Sequence, residues 1–91
     1  MTSPMERTVR IVNRSGMHAR PAGEFVKLAG QFDAEIQVSK AGLDVNGKSI
    51  MGVMMLAAER GSQITIRASG HDASAALEAL AELVASGFEE H

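Results

Sequence analysis

Apolar residues recur along this chain with two periods, and the switches between them mark its elements. From Thr8 to Val12 the pattern alternates, with Val9 and Ile11 on one side and Arg10 on the other, which predicts a strand half-buried in a sheet. Asn13 to Gly16 is a polar turn. Ala22, Phe25, Val26 and Ala29 then fall at i, i+3, i+4 and i+7, the apolar stripe of an amphipathic helix that begins near Ala19. Pro21 suits its first turn, where a missing N–H removes no intrahelical bond. Gly30 can turn left-handed without steric cost and is expected to stop the helix there. Alternation resumes from Ala34 to Lys40 with Ile36 and Val38 inward, Ala41-Gly42 makes a turn, and Leu43 with Val45 begins a short paired strand.

Asn46-Gly47 breaks that strand, and Ser49 is a natural N-cap for a short helix running to about Leu56. Gln63 to Ala68 is the last strand, with Ile64, Ile66 and Ala68 inward and Thr65 and Arg67 outward. Asp72 is placed to cap a final helix whose stripe is Ala73, Ala76, Leu77, Leu80 and Val84, and residues beyond Gly87 are expected to fray. The outward strand positions Arg10, Glu35, Gln37, Thr65 and Arg67 are all polar. One sheet face therefore meets water while helices cover the other, which is how antiparallel sheets of the α+β class behave. The order is β-α-β-β-α-β-α with no repeat and no linker, so residues 1–91 read as one domain. Periodicity leaves the strand order open.

Composition narrows the chemistry. The 91 residues are 45% apolar, enough for one core, and contain no cysteine, which removes disulfides and thiolate metal sites. No apolar run reaches the length of about 18 residues that spans a membrane, and Met1 to Arg7 lacks the apolar core of a secretory signal, so a cytoplasmic location is expected. A net charge of −2 argues against general nucleic-acid binding. The charge is uneven: residues 1–50 hold seven basic and five acidic side chains, residues 51–91 two basic and six acidic. Arg14, Arg20, Lys27 and Lys48 are the basic residues expected near His18, as a positive rim that would favour phosphate and steer acidic partners.

His18 is the candidate nucleophile. It falls at or just before the first helical turn, where backbone amides such as that of Ala19 lack intrahelical partners and the helix end favours anions. Arg20 adds a planar guanidinium suited to phosphate, or else pairs with Glu24 one turn on. Ser15 is either turn chemistry or a further donor to the phosphate. Phosphoryl transfer needs a neutral imidazole with a nitrogen lone pair. Ile50, Met51, Val53, Met54, Met55 and Leu56 make the short second helix apolar almost all round. Such a helix buries one side only, so part of this set, with Ile50, Met51 and Met54 foremost, is expected to form an exposed docking patch flanked by Lys27 and Lys48. His71 and His91 carry no motif, and no His, Asp or Glu set has convincing metal spacing.

The stretch Gly16-Met17-His18-Ala19-Arg20-Pro21-Ala22 closely resembles the active-site motif of the HPr family, the histidine-containing phosphocarriers of the bacterial phosphoenolpyruvate-dependent sugar phosphotransferase system. Val45-Asn46-Gly47-Lys48-Ser49-Ile50-Met51-Gly52-Val53-Met54 is similar to that family's regulatory-serine region, and the two stand in the family's order and spacing. The resemblance implies an open-faced β-sandwich, four antiparallel strands in the order 1-4-2-3 covered on one face by three helices. It implies that His18 accepts a phosphoryl group on Nδ1 from enzyme I and passes it to the histidine of EIIA domains, with no cofactor, as a monomer. It also implies that Ser49 is phosphorylated by an HPr kinase/phosphorylase, which makes the carrier a poorer acceptor. Two other functions remain as rivals. One is a regulatory interaction module of the same fold, as in the family's nitrogen-related branch or in relatives that act through the phosphorylated serine; the presence of both His18 and Ser49 argues against a purely regulatory relative that lacks the histidine. A small hydrolase with His18 as general base is disfavoured because no second carboxylate, nucleophile or metal set accompanies it in the sequence.

Overall fold

Four strands and three α-helices form in a computed structural model that describes residues 4–89. They are β1 (Met5–Arg10), α1 (Ala19–Ala29), β2 (Glu35–Lys40), β3 (Leu43–Asn46), α2 (Ile50–Met55), β4 (Gln63–Ser69) and α3 (Ala73–Ala85), and a 3-10 turn follows at Gly87–Glu89. The strands make one antiparallel sheet in the order β1-β4-β2-β3. β4 is central because its inward residues Ile64, Ile66 and Ala68 are all buried, with β1 paired on one side and β2 on the other. Ile36 and Val38 of β2 continue this layer, and α1 and α3 close it with Phe25, Leu80 and Val84. Opposite residues in paired strands share a face, so Glu6, Thr8, Gln37, Thr65 and Arg67 form the open face. It is self-satisfied: the Thr8 and Thr65 hydroxyls lie 3.0 Å apart, and Arg67 Nη2 lies 3.1 Å from Glu6 Oε2. Ala41 (φ 51°) and Gly42 (φ 85°) both turn left-handed, which joins β2 to β3 through the two-residue hairpin turn that strand twist favours.

Local geometry departs from the sequence expectations at four places. β1 runs from Met5 to Arg10 rather than Thr8 to Val12, because its length is set by pairing with β4, from Met5 opposite Ala68 to Arg10 opposite Gln63. Met5 lies opposite Ala68 on the helix-covered face but stays exposed at the sheet margin, so alternation gave no sign of it. Ile11 lies beyond the strand, yet is buried and exchanges bonds with the next loop, its N–H donating to Ser62 O (2.8 Å) and its carbonyl accepting from Gly61 N–H (2.7 Å). Gly30 ends α1 in the right-handed region (φ −66°), and the chain leaves through tighter turns from Gln31 to Leu28 O and Phe32 to Ala29 O rather than through a left-handed cap. Asp72 stands at the N-cap of α3, but its carboxylate makes no cap bond there. It accepts from the backbone N–H groups of Asp33 and Ala34, both at 2.8 Å, and so ties the α1–β2 loop to α3. The chain does not fray at Gly87: Phe88 is only 5% exposed and joins the core. Residues 90 and 91, and with them His91, lie outside the described residues.

Candidate functional site

His18 is delivered to the start of α1 by a loop that only glycine can complete. Gly16 has φ +69°, and a Cβ there would stand 2.5 Å from Ala58 O. The close approach lets the neighbouring Met17 N–H donate to that same carbonyl at 2.8 Å, while the Met17 side chain is buried. Asn13, also buried, fastens the other side: its Nδ2 donates to Gly16 O (2.9 Å) and its carbonyl accepts from Gly16 N–H (3.2 Å). His18 follows in extended backbone as the N-cap, its carbonyl accepting from Ala22 N–H at 2.9 Å, and its residue is exposed. Pro21 is buried in the first turn and contributes no N–H, so the amides of Ala19 and Arg20 are those that an anion at this helix end would meet.

Ser15, Met17, His18, Met54, Ala57 and Glu59 line one shallow concavity of about 300 Å³, together with Ala58. Ser15, His18 and Met54 were expected at the site, and the fold brings them together. Ala57 and Glu59 were not foreseen. Ala57 follows the end of α2 with φ +49°, a left-handed conformation that costs an alanine about 1–2 kcal/mol, and it holds that turn with its N–H on Met54 O at 3.0 Å. Its signal in the sequence was faint, a small residue just past a helix end where glycine is usual. Glu59 also lines the concavity, a placement that sequence separation concealed.

The cations are spread out. Arg20 is largely exposed, with Nε 3.8 Å from Glu24 Oε1, so the i,i+4 pair is formed. Lys27 sits in the last turn of α1, about 13 Å along the helix axis from His18. Lys48 Nζ donates to Phe32 O at 2.7 Å, past the far end of α1, which takes that ammonium out of a rim gathered at His18. Arg14 is exposed in the loop before His18.

On α2, Ser49 Oγ accepts from Gly52 N–H at 3.1 Å, a cap bond of the expected kind. Ile50, Met51, Met54 and Met55 are exposed, while Val53 and Leu56 take the buried side. Ile50 Cδ1 reaches the α1 residue Gly23, 3.7 Å from where a Cβ would stand, so α2 packs along α1. Ser49 and Met54 lie at opposite ends of α2, about 8 Å apart along its axis.

A second cluster lies elsewhere. Donor atoms of Asp33, His71 and Asp72 fall within 4.8 Å of one another, with His71 Nε2 3.6 Å from Asp33 Oδ2. Asp33 and Asp72 are far apart in sequence, which hid the grouping. The Asp72 oxygens are already engaged by the two backbone N–H groups, and the cluster's chief effect is on the loop that they hold. Among the described residues, no helix is long and apolar enough to cross a membrane.

The family model described as "PTS HPr component phosphorylation site" matches residues 5–86. The chain is 43% identical to phosphocarrier protein HPr of Cupriavidus necator, over 94% of this chain and 97% of that protein. The crystal structure of HPr-C-His from Thermoanaerobacter tengcongensis superposes with a TM-score of 0.92 at 42% identity, covering 96% of this chain and 98% of that one. A crystal structure of an HPr dimer from the same organism matches with a TM-score of 0.75 at 41% identity, covering 97% and 98% of the two chains.

Proposed function

The chain belongs to the HPr family of phosphotransferase-system phosphocarriers, and from that premise we propose that it is a phosphoryl relay working through His18. The observation that carries the proposal is the exposed residue His18 at the N-cap of α1, beside the first-turn amides and Arg20. Phosphorylated enzyme I is the donor. An imidazole nitrogen of His18 attacks phosphorus as the donor's own P–N bond breaks, and the histidine of an EIIA domain later takes the group in the same way. Along the route the Ala19 and Arg20 amides meet the phosphoryl oxygens, Arg20 turns from Glu24 to clamp them, and Ser15, which lines the same concavity, assists. Such a relay needs no enclosed substrate pocket, in keeping with the shallowness of the concavity.

Partners dock over the concavity and the exposed side of α2, with Ile50, Met51 and Met54 as apolar contacts. Lys27 supplies charge at the margin. Lys48 acts through the loop it holds at Phe32 O. Ser49 is the regulatory position: an HPr kinase/phosphorylase adds a phosphate that helix α2 tolerates but an acidic partner surface next to Ile50 and Met51 does not. The relay works in the cytoplasm and as a monomer, although relatives that form dimers are known, an HPr and the Bacillus subtilis protein Crh among them.

The test is incubation with phosphoenolpyruvate, magnesium and enzyme I, followed by intact mass of wild type and His18→Ala. One added, acid-labile phosphate on wild type and none on the variant is the expected result. An acid-stable phosphate, or one retained in the variant, overturns the assignment.

A further inference from the structure

Three of the six residues of α2 are methionines, and all three face solvent: Met51 is 74% exposed, Met55 67% and Met54 41%. Their i,i+3 and i,i+4 spacings set them side by side next to Ile50. Met54 also lines the concavity that holds His18. The full chain has six methionines and no cysteine, tryptophan or tyrosine, so no thiol competes with thioether sulfur for a peroxide. Of the other methionines described, Met17 is 3% exposed, and Met5, 45% exposed, stands apart on the edge strand β1. Among the described residues, three of the four exposed methionines therefore lie together on one helix face, and that face adjoins the reacting histidine.

We propose that Met51, Met54 and Met55 form a reversible oxidation site through which a peroxide slows the relay. The inference rests on the docking role given above to α2. A sulfur lone pair attacks one oxygen of hydrogen peroxide, the O–O bond breaks, and the displaced hydroxide leaves as water after taking up the remaining peroxide proton. Sulfur loses two electrons and the peroxide gains them. The product sulfoxide is polar, chiral and a strong hydrogen-bond acceptor, whereas the thioether is apolar and pliable. A docking face must be dried on contact, and each sulfoxide oxygen then has to shed its water. The fold itself is untouched, because Val53 and Leu56, not the methionines, carry the buried side of the helix. Methionine sulfoxide reductases, one for each epimer, restore the thioether.

The experiment treats the full chain with hydrogen peroxide, maps oxidation by peptide mass, and measures His18 phosphorylation by enzyme I before and after. Met51 and Met55 should oxidise first, Met54 and Met5 next, and Met17 last. The rate should fall roughly tenfold or more, in line with desolvating polar oxygen at an interface. The melting temperature should not change, and treatment with both reductases should restore the rate. Met51→Leu/Met54→Leu/Met55→Leu keeps an apolar face, and its rate, compared with its own untreated value, should be indifferent to peroxide. Met5→Leu should remain as sensitive as wild type. An unchanged rate after these three sulfurs are oxidised overturns the proposal, as does equal sensitivity of the triple variant or a loss that tracks unfolding. Failure of the relay reading shows earlier, as no acid-labile phosphate on untreated protein, and overturns this proposal with it. Failure of this proposal alone shows as normal phosphorylation that peroxide leaves intact.

Discussion

Gly16 is the residue on which the placement of His18 depends. An alanine there would face two costs at once: the left-handed backbone, about 1–2 kcal/mol, and a Cβ 2.5 Å from Ala58 O. The carbonyl cannot retreat without giving up its bond to Met17 N–H. Gly16→Ala should therefore lose at least about 2 kcal/mol, a fall in melting temperature of about 10 °C for a domain of this size. It should also slow phosphoryl acceptance, because strain relieved in the loop displaces His18. Thermal unfolding and a phosphorylation time course check both parts. Arg20 behaves differently. Its pair with Glu24 is exposed and long, so it contributes little to stability. Arg20→Ala should keep its melting temperature within a few degrees while transfer slows about tenfold or more, the loss of one charge-assisted bond to phosphate. Rates equal to wild type would remove Arg20 from the clamp.

At the scale of elements, each helix start uses its polar side chain in its own way. Ser49 caps α2 through Gly52 N–H. Ser49→Ala should lose about 1 kcal/mol, visible as a melting temperature lower by about 4–8 °C, yet remain active in transfer. Ser49→Asp keeps a capping oxygen and adds an anion where the helix end welcomes it. It should melt within a few degrees of wild type and accept phosphate from enzyme I more slowly. Asp72, in contrast, serves a loop rather than its own helix. The Asp33 N–H chiefly, with help from Ala34 N–H and His71, holds its carboxyl below the usual value of 3.8. A depressed carboxylate stabilises the fold above its unfolded value, and that stabilisation is lost as pH falls through the folded one. Wild type should thus lose stability below about pH 4 in part through Asp72. Asp72→Asn should be less stable at neutral pH and show a shallower fall in that acid range, as measured by denaturant unfolding across pH. Parallel curves would deny Asp72 this role.

For the whole molecule, charge asymmetry matters most. The basic excess lies in residues 1–50 and the acidic excess in residues 51–91, but the basic groups expected at His18 are not ringed about it: Arg14 precedes α1, Arg20 and Lys27 lie along it, and Lys48 reaches the loop that follows it. Steering should therefore act over the length of α1. Raising salt from about 0.01 to 0.1 M shortens the Debye length from about 30 to 10 Å. Association with enzyme I should slow over that range, and stopped-flow binding at several ionic strengths reads it directly. A rate that ignores salt would leave the apolar face of α2 as the sole source of docking.

The sequence by itself determined the number, kind and order of the elements, because 2.0 and 3.6 residue periods are written locally in runs such as Gln63 to Ala68 and Ala73 to Val84. It determined the Ser49 cap for the same reason, since donor and acceptor lie three residues apart. Its two motifs pointed to the family and to the strand order that periodicity left open. Tertiary structure decided what depends on residues distant in the chain. It fixed the true span of β1 through pairing with β4, the diversion of Asp72 to Asp33 and Ala34, and the burial of Phe88. It also brought Ala57 and Glu59 to the rim of the His18 concavity and carried the Lys48 ammonium away to Phe32 O. A long side chain on a loop goes where the nearest unfilled acceptor is, and that acceptor exists only once the chain has closed on itself.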